Sequence, residues 1–334
     1  VKRLLLSVGL AVFMGVSAFA GEAAPAKEES GEAKEPGAAA VEKLRELLQQ
    51  RKTEEALKAG QEALKTLPVE GEKRLDVTLL TWVAARALYM MEGTHEETFV
   101  SLMDGMATRY KGAEDRRVLP AFISGYLLAG RSGKARSLAA SLLERVPAPD
   151  ETALEKWKAE NPGKPHPDEQ LREYLKFQQK LLAGPEFKLT DLEGKPVSLA
   201  DYKGKVLLLD FWATWCGPCK AELPNLLALY KSSHEKGFEI LGLSLDRSEA
   251  ALKGFVEENG IAWPNVYLGA DQAVAEAYGV SAIPTQFLFG RAGKLRYAGL
   301  RGEMVNRAVA KLLAEKAPAR EAPEAAEKGA EPAK

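Results

Sequence analysis

The sequence predicts two joined domains of different class: an all-α domain, then an α/β layer sandwich with a mixed central sheet. Three observations carry this. From Val41 to about Leu182 apolar residues recur at helical spacing, as in VEKLRELLQQ and ARSLAASLLERV, and strand-like alternation is scarce. From about Pro185 apolar runs of strand length alternate with amphipathic segments. The chain's 2 cysteines, Cys216 and Cys219, both fall in the window WATWCGPCKAE, at the end of the first long apolar run of that second region.

Taken in order, residues 1–20 (VKRLLLSVGLAVFMGVSAFA) place Lys2 and Arg3 before an apolar run that ends in the small residues Ala18 and Ala20. This is the layout of a secretory signal peptide, with cleavage expected before Gly21. The run falls short of the ~20 residues of a spanning helix, so an uncleaved anchor facing the periplasm is the lesser alternative. Residues 21–40 and 316–334 are built from Ala, Glu, Lys, Pro and Gly, with little to bury, and are expected to be a disordered linker and tail. Export places the chain in a periplasm, where disulfides persist. Charge is balanced, with 46 Lys plus Arg against 47 Asp plus Glu, and no basic block interleaves with aromatics, which argues against nucleic acid as a partner.

Residues 41–183 are expected to form the all-helical domain. RKTEEALKAGQEALKTLP and GRSGKARSLAASLLERVP each set an alanine (Ala56, Ala135) twelve residues before a proline (Pro68, Pro147). That pattern resembles the second helix of a tetratricopeptide repeat; helical hairpins are expected, and an irregular bundle is the alternative. NPGKPHP breaks the pattern before one more helix, DEQLREYLKFQQKLL.

Residues 184–315 form the second domain. FKLTDLEGKPVSL reads as a short hairpin with a Glu-Gly turn. KVLLLDFWA and FEILGLSLD are continuous apolar runs, suited to strands buried on both faces, and KAELPNLLALYKSSHEKG is the amphipathic helix between them. SEAALKGFVEENG is a helix ending at Gly260, followed by WPNVYL, a helix around AVAEAYGV, the strands TQFLFG and KLRYAGL, and a last helix from about Glu303 to Leu313.

KVLLLDFWATWCGPCKAELPNLLALY, FEILGLSLD and SAIPTQFLFGRAGKL together resemble the TlpA/ResA-type exported thiol-disulfide oxidoreductases. The resemblance covers about Pro185 to Leu313 and is silent on Val41 to Leu182. It implies a thioredoxin fold, a mixed central sheet flanked by helices, preceded here by the helical-hairpin domain. It implies disulfide-bearing client proteins, a membrane thiol-disulfide transporter as electron donor and no bound cofactor. The helical domain is expected to hold a protein partner.

The residue chemistry agrees. Two cysteines separated by two residues at the first turn of a helix can close a redox disulfide, and the helix N-terminus stabilises a thiolate. Cys216, expected to be the better exposed of the two, is then the attacking thiolate, and Cys219 the resolving thiol. Gly217 and Pro218 form the intervening dipeptide, with Pro218 fixing φ at the helix start. Zinc wants about four ligands, and no second CxxC exists to complete a site. Covalent haem attachment needs a histidine where Lys220 stands.

Asp210, inside LLLDFW, is a carboxylate in a buried strand, costly unless it has a partner or a task. The resemblance implies that it takes the proton of the resolving cysteine, although the strand position where thioredoxins often carry a supporting lysine aligns with Gly242. Glu222 matches a second acid kept beside the cysteines by ResA-like members; read alone, it is an exposed glutamate in a first helical turn. Ile283-Pro284-Thr285 matches the family's cis-proline loop, whose backbone pairs with an extended substrate. Trp215 is expected to flank the site as an apolar contact, with Trp212, Trp82, Trp157 and Trp263 in packing roles. The function expected is disulfide reduction, because Gly-Pro is the thioredoxin dipeptide and thioredoxin has a reducing poise of about −270 mV. A disulfide oxidase or isomerase, a peroxidase, and an adaptor working through the helical half are the alternatives. The client is left open among apocytochrome c, as in cytochrome c biogenesis, an oxidase assembly factor and general repair.

Overall fold

A computed structural model describes residues 37–67, 72–109 and 119–316. The expected signal peptide at 1–20, most of the 21–40 linker, the 317–334 tail and Pro68 lie outside the described residues. Among those described, no helix is long and apolar enough to cross a membrane.

The first helix starts at Ala38, inside the stretch expected to be linker, because AAAVEKLRELLQ puts Val41, Leu44 and Leu47 on one buried stripe. The helical half comprises α1 (Ala38–Gln49), α2 (Thr53–Thr66), α3 (Glu72–Glu92), α4 (Glu96–Arg109), α5 (Leu119–Leu128), α6 (Ser132–Arg145), α7 (Glu151–Glu160) and α8 (Pro167–Ala183). From α1 to α6 each helix packs on the next, and α6 packs on α8, so the chain folds back on itself as helical hairpins. Ala56 and Ala135 are fully buried, where small side chains let neighbouring helices close up. The NPGKPHP break sits between α7 and α8; Pro167 begins α8 behind His166, whose ring accepts from the Asp168 N–H.

The second half opens with the expected hairpin, β1 (Lys188–Thr190) antiparallel to β2 (Pro196–Ser198). Then follow β3 (Val206–Trp212), α9 (Gly217–Ser233), β4 (Phe238–Ser244), α10 (Glu249–Glu258), β5 (Asn265–Tyr267), α11 (Ala273–Ala277), β6 (Thr285–Phe289), β7 (Leu295–Ala298) and α12 (Glu303–Ala314). The strand order is β5-β4-β3-β6-β7. The β5-β4-β3 part is parallel and β6 and β7 are antiparallel, as expected of a mixed sheet. Every residue of β3 and β4 is buried, which is why these strands read as unbroken apolar runs.

The two halves meet along β7. Helices α5, α6 and α8 pack against this edge strand, whose free backbone groups would otherwise offer a pairing surface. Gly130, between α5 and α6, has φ +68° and lies under the Tyr297 ring; a Cβ there would stand 2.3 Å from that ring. Glycine is required twice over, by the left-handed backbone and by the close approach.

Candidate active site

β3 delivers its C-terminal end to the start of α9, and the link between them carries the cysteines. Thr214 is pinned there by Asp246, which follows β4: the Thr214 N–H donates to both carboxylate oxygens at 3.2 and 3.0 Å, and the Thr214 hydroxyl donates to Oδ1 at 2.6 Å. Asp246 is only 3% exposed, and Ser244 Oγ also donates to it at 2.7 Å. A buried carboxylate bonded by several donors is a rigid anchor. Trp212 is fixed as well, its indole N–H donating to Asn265 Oδ1 at 3.1 Å.

Cys216 is the N-cap of α9 and is bonded to Cys219, with an S–S distance of 2.08 Å. Its Sγ accepts from the Cys219 backbone N–H at 3.2 Å. An N-cap acceptor facing an otherwise orphan donor at the positive end of a helix is where negative charge on sulfur is best tolerated. Gly217 and Pro218 occupy the first two helical positions. The expected difference in exposure between the cysteines is absent: Cys216 is 5% and Cys219 6% exposed. The N-cap geometry turns the Cys216 sulfur back over the first turn instead of out to solvent. Trp215, at 60%, is the exposed large apolar residue beside the pair, as expected of a contact surface, while Trp212 is buried.

Asp210 is 6% exposed on β3. Burial pushes its carboxyl up to about 6; the facing Gln286 and the Arg301 guanidinium oppose the rise, and Glu222 adds to it. Gln286 stands directly across the ladder from Asp210. The amide is close enough to favour the ionised form but makes no full hydrogen bond: Asp210 Oδ1, Gln286 Oε1 and Gln286 Nε2 are all buried without a partner. A carboxyl raised to about 6 changes its protonation state close to neutral pH.

Gly242 does stand opposite Asp210 on β4. A Cβ there would lie 2.1 Å from Asn265 Oδ1 and 2.9 Å from Trp212 Nε1, so the Trp212–Asn265 pair fills the space a lysine would need. The cation comes instead from the loop before α12. Arg301 donates to the Pro284 carbonyl and, at 2.6 Å, to the Leu300 carbonyl, and its own ionisation is favoured by Asp210 and Glu222 against the cost of burial.

Glu222 lies in the second turn of α9, not the first, and is half-buried. Its Oε1 accepts from the Gly302 N–H at 2.9 Å and from Asn225 Nδ2 at 3.0 Å. It therefore ties the active-site helix to the loop that carries Arg301. The Ile283–Pro284 peptide is cis, as the resemblance implies. Thr285 pairs with Phe211, near the end of β3, which sets the cis-proline loop beside the strand end that leads to the cysteines. Sequence reasoning missed Asp246, Arg301, Asn265 and Gln286. Asp246 had a local signal, an acid closing the apolar run FEILGLSLD; Arg301 had none, because its partners lie far away in sequence.

A mixed sheet that presents a helix-capped disulfide beside a cis-proline loop and a buried acid defines a thioredoxin-fold thiol-disulfide protein. The AhpC/TSA family profile matches residues 182–298. Thiol-disulfide oxidoreductase ResA of Bacillus thuringiensis (strain Al Hakam) is 44% identical over 111 residues, covering 33% of this chain and 64% of that protein. Its namesake in Bacillus cereus (strain ATCC 10987 / NRS 248) is 40% identical over 125 residues, covering 36% of this chain and 72% of that protein. A crystal structure of the thioredoxin domain of a Bacteroides vulgatus thiol-disulfide oxidoreductase is 38% identical and covers 39% of this chain and 95% of that one, with a TM-score of 0.38. The chain belongs to the ResA-like thiol-disulfide oxidoreductase family. It spans just under two thirds of the length of the first of these relatives, and the family match begins at Leu182, where the helical half ends.

Proposed function

We propose that this protein reduces disulfides in client proteins of the periplasm by dithiol-disulfide exchange through Cys216 and Cys219. The observation that carries the reading is the Cys216 sulfur at the α9 N-cap, accepting the Cys219 N–H and joined to the Cys219 sulfur, at the exit of the strand that also carries the buried Asp210.

In the reduced protein the Cys216 thiolate attacks one sulfur of the client disulfide. The client S–S bond breaks, a Cys216–client mixed disulfide forms, and the leaving client thiolate takes a proton. Asp210 accepts the proton of Cys219, whose thiolate then attacks the Cys216 sulfur. The second client thiol leaves, the Cys216–Cys219 bond closes, and two electrons have passed to the client. A membrane thiol-disulfide transporter restores the dithiol. The exposed face of Trp215 and the backbone of Ile283, Pro284 and Thr285 hold the client strand during exchange, Glu222 fixes α9 relative to the Arg301 loop, and no bound cofactor takes part. The helical half is a hairpin domain, tetratricopeptide-like, that supplies protein contacts. Cleavage of the 1–20 segment releases the chain into the periplasm.

Trapping tests the reading. A Cys219→Ser chain expressed in a periplasm should accumulate mixed disulfides with clients, and Cys216→Ser should not. Equal trapping by Cys216→Ser would reverse the assignment, and trapping by neither would remove the activity.

A further inference from the structure

The active-site helix and the cis-proline loop are joined by two routes that close a ring. One runs through the sheet: Thr285 pairs with Phe211 on β3, and β3 leads into α9 through the link that Asp246 pins at Thr214. The other runs through the loop before α12, where α9 holds the backbone of Gly302 by both its polar groups. Glu222 Oε1 accepts the Gly302 N–H at 2.9 Å, and Asn225 Nδ2 donates to the Gly302 carbonyl at 3.3 Å. Asn306, on α12, donates to Asn225 Oδ1 at 2.8 Å and steadies it. One residue earlier, the Arg301 side chain leaves this fixed backbone. One guanidinium nitrogen donates to the Pro284 carbonyl and another to the Leu300 carbonyl, the latter at 2.6 Å.

A planar fork that holds two carbonyls at once in fixed geometry is a property of guanidinium that an ammonium lacks. The charge is kept in this half-buried place because Asp210 and Glu222 favour it against the cost of desolvation. The loop needs such a hold. Residues 281–284 form no regular secondary structure, Ser281 and Ala282 are exposed, and Ile283 and Pro284 are only half-buried, so packing does little to place them. The Thr285 hydroxyl donates to the Ala282 carbonyl at 2.7 Å, a bond that shapes the loop from within without fastening it to another element. Held only where it enters β6, the segment can hinge; held also by Arg301, it is fixed against α9.

We propose that Arg301 is a positioning residue for exchange with protein clients: it latches the cis-proline loop to the cysteine helix, so that a client strand lying on the loop presents its disulfide to Cys216 at a fixed place. The proposal deepens the reductase reading above and rests on it. Attack of one sulfur on another depends on placement, and a misplacement of about 1 Å can cost on the order of a hundredfold in rate. A peptide disulfide is aimed through the backbone it lays on the loop. A small disulfide without such a backbone is aimed by the sulfurs alone, so opening the latch harms it less. The mark of the latch is therefore a loss of preference for the peptide.

The test sets the full wild-type chain beside Arg301→Met on two substrates, a synthetic peptide carrying one disulfide and hydroxyethyl disulfide, a small neutral one. In the variant kcat/KM for the peptide should fall roughly tenfold further than kcat/KM for hydroxyethyl disulfide. Arg301→Lys should recover part of the preference, because an ammonium can bond one carbonyl but cannot fork across two. Asn225→Ala loosens the hold on Gly302 while leaving Arg301 in place, and should give the same bias to a smaller degree. Hydrogen exchange of the oxidised full chain reads the latch without any turnover: Arg301→Met should speed exchange across residues 279–285 and leave the amides of β3 and β4 unchanged. An equal fall on both substrates, no fall on either, or unchanged exchange at 279–285 overturns the proposal. Should Arg301→Met fail to fold, absence of the bias in Asn225→Ala overturns it instead. A wild-type chain that reduces neither disulfide takes down the reductase reading and this proposal together; one that reduces both, with no bias in the variants, takes down only the role of Arg301.

Discussion

Replacing Asp210 by Asn removes an ionisable group and keeps its shape, so the effect on stability isolates the cost of a buried charge. The folded-state carboxyl lies at about 6, against 3.8 when unperturbed. Between those values the folded protein binds more protons than the unfolded one, so stability falls as pH rises through the window and the full penalty is present above it. The shift of about 2 units corresponds to about 3 kcal/mol. At 6% exposure little of that is lost to solvent screening. This figure already includes Arg301 and Gln286, which oppose the rise. Asn resembles the neutral acid, so Asp210→Asn should change stability little near pH 4 and raise it by about 3 kcal/mol near pH 8. Urea denaturation of the oxidised protein at intervals across that range measures the difference directly. A variant advantage that stays flat with pH, or that shrinks as pH rises, would refute the claim that Asp210 is a desolvated acid. On the proton-transfer role proposed for Asp210, the same substitution should also slow resolution of the mixed disulfide.

Two further outcomes follow from the geometry around it. Thr214→Val deletes the 2.6 Å hydroxyl bond to the buried Asp246 and should cost about 1–3 kcal/mol in urea unfolding, with Thr214→Ser recovering most of it; an unchanged midpoint would mean that Asp246 does not anchor the cysteine approach. Equilibration against dithiothreitol should place the potential nearer the thioredoxin value of about −270 mV than the DsbA value of about −120 mV, since Gly-Pro adds no positive charge between the cysteines, whereas a value on the DsbA side would favour an oxidase.

The strands and the cysteine window were legible because their signals are local. β3 and β4 are buried on both faces and so appear as unbroken apolar runs, and the CxxC lies at a helix start that flanking residues define. The cis-proline and the role given to Glu222 came from the resemblance, while Asp210 also stood out as a carboxylate in an apolar strand; Glu222 now has the Gly302 N–H and Pro284 the Arg301 guanidinium as partners. Arg301 was invisible, because its hydrogen bond to the Pro284 carbonyl and its electrostatic coupling to Asp210 join elements far apart in the chain and leave no period in the sequence. Gly242 shows the same limit: its position was found, but the reason no lysine fits there needed the Trp212–Asn265 bond. Cys216 was misjudged as the more exposed sulfur because helix-start residues are usually open, while this one folds over its own first turn. The start of α1 at Ala38 was lost in an alanine run that composition alone assigns to a linker.

The covered edge at β7 bears on how such a chain can be divided. A thioredoxin-like half that ends its sheet at an open strand needs charge, a bulge or a short edge to keep that strand from pairing with another molecule. Here the edge is sealed by α5, α6 and α8, with Tyr297 seated on a glycine that accepts no side chain. Cutting between Ala183 and Gly184 would bare backbone donors and acceptors together with the Tyr297 ring, so the excised half would carry an adhesive rim the whole chain never presents. The junction is thus a covered seam, and the strand it hides is exposed only when the halves are parted.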